Sequence, residues 1–179
     1  MKHIPNILTI FRIILVPVFL IIYFSNFQDH SLWALFIFLL AGFTDFLDGY
    51  LARKYNVTSK VGTVLDPFAD KLMLLTALTS LYIDNLLPLF ILIIMYLKEC
   101  TMVILGIFMF FKKTQVVIPA NIFGKLATFM FTIAVVITFI FPTGYFHIIL
   151  LIIALTFKLV AFSSYVRHYL VNHSKKFSI

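Results

Sequence analysis

Four aspartates, Asp45, Asp48, Asp66 and Asp70, fall within 26 positions of a chain that has only seven acidic residues. Asp45 and Asp48 are spaced i,i+3, and Asp66 and Asp70 i,i+4, so on helices each pair shares a face. Cys100 is the only cysteine, which excludes intrachain disulfides and cysteine metal clusters. The histidines lie at termini or span ends and show no metal spacing. Carboxylates alone make a hard oxygen site, suited to Mg²⁺ or Mn²⁺. Gly49, Ala52 and Gly62 stand beside the acids and leave room for a ligand, although small residues also serve helix packing in membranes. The competing reading places the acids in solvated salt bridges with Arg53, Lys54, Lys60 and Lys71. Two pairs on facing helices, next to small residues, favour the metal-binding reading.

The elements that position these acids are membrane helices. The chain has 179 residues, is 63% hydrophobic, and is charged at only 12% of its positions. A soluble domain carries charge on about a quarter of its residues. The apolar residues come in runs of about 20, the length that crosses a bilayer as a helix. Six spans are predicted, at 7–25, 31–54, 61–83, 88–111, 118–141 and 145–170, giving an all-α integral membrane bundle of six transmembrane helices. Turn-forming and charged residues punctuate it at 25–31, 54–60, 84–88, 112–115 and 142–144. No repeat or soluble segment interrupts it, so residues 1–179 are expected to form a single membrane-embedded domain. Pro5, Asn6, Thr9 and Arg12 interrupt the first run and no small-residue cleavage site follows, so it is expected to be retained as a span.

The acids lie at the ends of spans two and three. An ionisable group at membrane depth costs about 2.5–3.5 kcal/mol on insertion scales, and four carboxylates repel one another unless cations hold them. The short connection makes spans two and three antiparallel neighbours and lets the pairs converge. Loops after spans one, three and five contain no Lys or Arg; those after spans two and four contain Lys54, Lys60, Lys112 and Lys113, and the tail contains Lys175 and Lys176. The positive-inside rule then places both termini and the aspartate site on the cytoplasmic side of the cell membrane. The formal charge of +7 is accounted for by anionic lipid head groups, each basic residue near them worth about 1 kcal/mol. No basic run is interleaved with aromatics, which argues against nucleic acid as a partner.

The stretch from Asp45 through Asp48, Gly49, Ala52 and Arg53, then eight residues, then Gly62, Asp66 and Asp70, resembles the signature of the CDP-alcohol phosphotransferases, DxxDGxxAR, eight residues, GxxxDxxxD. All eight signature positions agree. The resemblance implies a membrane enzyme of phospholipid biosynthesis, built from six helices, that moves a phosphatidyl group from CDP-diacylglycerol to an alcohol. It implies two Mg²⁺ (or Mn²⁺) ions on Asp45, Asp48, Asp66 and Asp70, gripping the diphosphate, with Asp70 also the general base for the acceptor hydroxyl. It places Gly49, Ala52, Gly62 and Arg53 at the nucleotide, and Asn6 and Thr9 near it. Asn6, Thr9 and Arg12 recur at threes along one helical face, and the equally weighted alternative is interfacial snorkelling by Arg12 with Asn6 as a helix cap. The resemblance also implies a homodimer.

Lys98, Lys125 and Lys158 each interrupt a different apolar span, and Arg167 ends the last. Lys98-Glu99 and Gly124-Lys125-Leu126-Ala127-Thr128 look like the RE and GKxxT segments of bacterial phosphatidylglycerophosphate synthases. The resemblance makes these four cations candidate ligands of an acceptor phosphate, with sn-glycerol 3-phosphate the expected acceptor. Alternatively, Lys98 pairs with Glu99 or an aspartate. Those synthases usually carry an arginine where this chain has Gly106, which keeps open a cardiolipin synthase of the CDP-diacylglycerol type, with phosphatidylglycerol as acceptor. A non-transferase alternative is an ion-coupled transporter, whose buried carboxylates relay cations. Transporters usually place these near the midplane within inverted repeats, and no repeat is present here.

Overall fold

The computed structural model contains six helices: α1 (Ile4–Tyr23), α2 (His30–Tyr55), α3 (Gly62–Ile83), α4 (Leu89–Phe111), α5 (Ile122–Ile140) and α6 (Phe146–Ser174). It describes the backbone of residues 4–55, 62–111 and 122–174, and the side chains of 7–50, 54, 68–104, 122–164, 166 and 167. Among these there is no strand. Each predicted span coincides with one helix to within a few residues. Residue 61 of the third span, residues 118–121 of the fifth, and residues 56–60 and 112–115 of the predicted breaks lie outside the described residues.

The chain divides into two compact units, Met1–Leu92 and Ile93–Ile179. In the first, α1 packs against both α2 and α3, and α2 also meets α3. Ala34, Ala41, Ala69 and Ala77 are fully or almost fully buried; such small side chains let helix backbones approach closely where lipid gives no hydrophobic drive for association. Phe19, Leu78 and Leu81 are fully buried in the same unit. The ends are fastened by polar contacts. Tyr23 Oη donates to Asp84 Oδ2 at 2.6 Å, and His30 Nδ1 meets the Tyr23 carbonyl at 2.6 Å.

The loop after α3 stops the helix by a defined mechanism. Asn85 takes φ 60°, a left-handed conformation that asparagine tolerates better than most residues. Leu86 N donates to Leu81 O and Asn85 N to Tyr82 O, both at 2.9 Å. This is the paired Schellman arrangement that satisfies the last carbonyls of a helix. Pro88 follows, where a proline cannot continue the helix. The predicted break at 84–88 therefore has its physical cause in Asn85 and Pro88.

In the second unit α5 packs on α6, around buried Phe131, Ala134, Val135, Phe139, Leu151, Ala154 and Leu155. Thr138 is buried and returns its hydroxyl to the Ala134 carbonyl at 2.9 Å, which removes its polarity from the apolar interior. The two units differ sharply in charge. Residues 1–92 contain six acidic and six basic side chains, whereas 93–179 set Lys98, Lys112, Lys113, Lys125, Lys158, Arg167, Lys175 and Lys176 against one acid, Glu99.

Large apolar side chains face outward from both units, among them Ile7, Ile14, Ile21, Trp33, Phe36 and Phe43 in the first and Ile122, Phe129, Phe157 and Val160 in the second. A water-soluble protein does not expose apolar surface on this scale, and the molecule is a membrane protein. Among the described residues, three helices are long and apolar enough to cross a bilayer, at His30–Tyr50, Ile122–Ile140 and Phe146–Ser164, and Ile7–Tyr23 is a shorter apolar helix. Six spans were expected. The third helix opens with Asp66, Pro67, Asp70 and Lys71, which lowers its apolarity where the chemistry is expected.

Candidate active site

The best-defined polar site of the first unit lies where α1 crosses α2. Arg12 is 1% exposed, and its guanidinium faces Asp45 Oδ1 at 2.8 Å and Asp48 Oδ2 in a still shorter ion pair. A planar guanidinium can address two carboxylates at once, which a single ammonium cannot match in geometry. Asp48 is itself buried, at 4%, while the Asp45 side chain is 45% exposed. The pair thus has a dry member and a wet member. Thr9, one turn before Arg12, is also buried, and the Thr44 hydroxyl bonds back to the Ala41 carbonyl at 2.7 Å.

Arg12 therefore does not snorkel. The Thr9–Arg12 face of α1 turns inward against α2, and the two carboxylates supply the countercharge that an aqueous interface would otherwise provide. The side chain of Asn6, on the same face, lies outside the described residues.

On α3, Asp70 is half-exposed and Lys71 Nζ lies 3.1 Å from its Oδ2. The salt-bridge reading thus applies to this pair, although an exposed contact between neighbours contributes little. Ala69, beside it, is fully buried. Gly49 is part-buried on α2, and Lys54 is exposed with its ammonium 5.7 Å from the centre of the Tyr50 ring. Ala52 and Arg53 lie on α2, and Gly62 and Asp66 on α3. Their side chains are outside the described residues, as is Lys60.

Among the described residues no three His, Cys, Asp or Glu side chains form a metal-binding group; Asp66 is not among them. The donors that are described fit a divalent ion in their chemistry. Asp45 and Asp48 stand one turn apart, offer only oxygen, and already clasp one cation between α1 and α2.

The second unit gathers another set of charges. Glu99 is fully buried on α4, with Lys98 Nζ 2.7 Å from its Oε1 and Lys158 Nζ, from α6, 3.3 Å from the same oxygen. Lys158 is 2% exposed and its ammonium sits 4.5 Å from the centre of the Phe131 ring on α5, a favourable placement for a cation over an aromatic face. The alternative reading, in which Lys98 pairs with Glu99, describes this contact, and the pairing extends to Lys158. Lys125 and Arg167 are exposed and lie outside this triad. Gly124 has open space around it, so close packing does not require a glycine there.

Sequence reasoning missed two relationships, the grip of Arg12 on Asp45 and Asp48 and the sharing of Glu99. The second had a signal, since Glu99 is the only acid after Asp84, against eight Lys and Arg residues in the same stretch.

A stretch of 76 residues is 49% identical to the CDP-diacylglycerol--glycerol-3-phosphate 3-phosphatidyltransferase of Haemophilus influenzae, covering 42% of this chain and 41% of that protein. Proteins of the same name from Wigglesworthia glossinidia brevipalpis and Rickettsia typhi are 46% identical over 76 residues and 50% identical over 74. These stretches cover 42% of both this chain and the first protein, and 41% of both this chain and the second. The match thus spans about two fifths of the length of these relatives. The family match is far longer: residues 2–160 fit the CDP-alcohol phosphatidyltransferase pattern, with the aspartate site inside them, and the chain belongs to that family.

Proposed function

We propose that this protein transfers the phosphatidyl group of CDP-diacylglycerol to sn-glycerol 3-phosphate, forming phosphatidylglycerophosphate and releasing CMP. The observation that carries the reading is the buried Asp48 with Asp45 one turn away, a carboxylate pair that grips a cation inside an apolar helix bundle. Family membership and the names of the relatives support the same substrates.

In this mechanism Asp45, Asp48, Asp66 and Asp70 hold two divalent ions, Mg²⁺ or Mn²⁺. When bound, such ions neutralise the diphosphate and stabilise CMP as it leaves. Gly49, Ala52 and Gly62 line the nucleotide pocket, with Arg53, Asn6 and Thr9 beside it. Asp70 accepts the proton of the acceptor hydroxyl, whose oxygen attacks the phosphatidyl phosphorus as the bond to CMP breaks. Its half-exposed position on α3 leaves it accessible to an incoming hydroxyl. Displacement is direct, since among the described residues no side chain is set up as a covalent nucleophile. Lys98, Lys125, Lys158 and Arg167 serve the acceptor phosphate. A homodimer, formed through the outward apolar faces, belongs to the same proposal.

Purified protein given CDP-diacylglycerol and, in turn, glycerol 3-phosphate, phosphatidylglycerol, serine or inositol phosphate tests the reading directly. CMP is expected with glycerol 3-phosphate. Release with phosphatidylglycerol alone would make Gly106 the decisive residue and the protein a cardiolipin synthase. A transporter would release no CMP with any acceptor.

The proposed orientation puts both termini and the aspartates on the cytoplasmic side of the cell membrane, following the Lys and Arg asymmetry of the loops. In a Cys100→Ser background, Lys112→Cys is expected to react with an impermeant maleimide only from the cytoplasmic side and Gln28→Cys only from outside. Labelling of both from one side would overturn the orientation.

A further inference from the structure

Glu99 has no part in the aspartate chemistry, yet it is fully buried and is the only acidic side chain between residues 93 and 179. A carboxylate at membrane depth is unfavourable unless it is paired. Its partners come from two helices, Lys98 from its own α4 and Lys158 from α6, and both reach the same oxygen, Oε1. Adjacent residues on a helix point in different directions, so the Lys98 stem must curve back to make its 2.7 Å contact. Lys158 is fixed a second time by the Phe131 ring. Two flexible lysines are thus held in defined places by one carboxylate and one aromatic face.

An ammonium has three donors, and each lysine directs one of them at Glu99. The formal charges of Lys98, Lys158 and Glu99 sum to one positive. Without Glu99 the two ammonium groups would repel each other and lose their common anchor. We infer that Glu99 is a positioning residue, which gathers Lys98 and Lys158 into a preformed clamp for the phosphate monoester of the acceptor. The inference rests on the proposed function and deepens it. Preorganisation matters here because ordering rotamer-rich lysines on binding would otherwise subtract from affinity.

The test compares wild type with Glu99→Gln and Glu99→Asp. Glu99→Gln should raise the KM for glycerol 3-phosphate roughly 10- to 150-fold, the range for losing a charge-assisted contact. The KM for CDP-diacylglycerol should stay within about twofold on the same reasoning, because no CDP-lipid group is assigned to the clamp. Glu99→Asp keeps the charge with a shorter reach and should recover much of the loss. Stabilisation of the purified protein against heat by glycerol 3-phosphate alone should follow the same order, which reads binding without turnover. Equal rises in both KM values, or a normal glycerol 3-phosphate KM in Glu99→Gln, would overturn the inference. If Glu99→Gln does not fold, Glu99→Asp decides: a raised acceptor KM upholds the clamp, and a change in kcat alone overturns it. If wild type does not use glycerol 3-phosphate, the proposed function fails, and inorganic phosphate becomes the probe. Heat stabilisation of wild type by phosphate but not of the Glu99 variants would uphold the clamp, and its absence would overturn it.

Discussion

Asp48→Asn is expected, on the proposed mechanism, to lower CMP release at least about 100-fold, because a bound divalent ion would supply several kcal/mol of charge stabilisation in the transition state. Excess EDTA should abolish turnover of the wild type, and Mg²⁺ or Mn²⁺ should restore it. Asp66→Asn should give a comparable loss. Asp45→Asn separates catalysis from folding more cleanly. Its side chain is 45% exposed against 6% for Asp48, so its removal disturbs the fold less while still taking a donor from the site. Turnover is measured as CMP formed in detergent micelles, alongside the thermal midpoint of each variant. Near-normal activity of Asp48→Asn in excess chelator would sink the metal reading. A loss that follows the thermal midpoint across the variants would assign Asp48 to the fold alone.

The helices were legible because membrane insertion leaves few choices. A run of about 20 apolar residues in lipid has to satisfy its own backbone, so it forms a helix. The breaks at 84–88 and 142–144 were legible because Asn85, Pro88 and Gly144 act through local backbone geometry; Asn85 and Gly144 both take positive φ. The pairing of Asp45 with Asp48 was legible from spacing alone. The partners of charges were not. Helical periodicity shows that Thr9 and Arg12 share a face, but not which neighbour that face meets, and Arg12 finds Asp48 across 36 positions of chain. Lys158 likewise reaches Glu99 across 59. Snorkelling and burial predict the same sequence for Arg12 and differ only once α1 is packed on α2. Lys125 and Lys158 look alike in sequence, each a lysine within an apolar span, yet one is exposed and the other buried over Phe131.

The burial of Arg12 leads to the largest expected effect on stability. Its guanidinium is 1% exposed, and its Nε has no hydrogen-bond partner among the described residues. The group is held chiefly by its contacts with Asp45 and Asp48. Removing one member of a buried ion pair typically destabilises by about 3–5 kcal/mol, because the remaining charge is left in a medium that cannot solvate it. The Asp45 arm is partly exposed and screened, so the low end of that range applies to Arg12→Gln. About 3 kcal/mol corresponds to a fall of roughly 6–12 °C in thermal midpoint for a chain of this size. Arg12→Lys keeps the charge without the fork and should fall between the variant and the wild type. Divalent ions give a second readout, independent of turnover. With the guanidinium gone, Asp45 and Asp48 lack that countercharge in the apo protein. Mg²⁺ should then raise the midpoint of Arg12→Gln more than that of the wild type, by the linkage that stabilises any state a ligand prefers. Had Arg12 lain at the interface, Arg12→Gln would leave the midpoint nearly unchanged and Mg²⁺ would act equally on both proteins. A midpoint within about 2 °C of wild type, well below the fall expected for a broken buried pair, would reject the buried clasp.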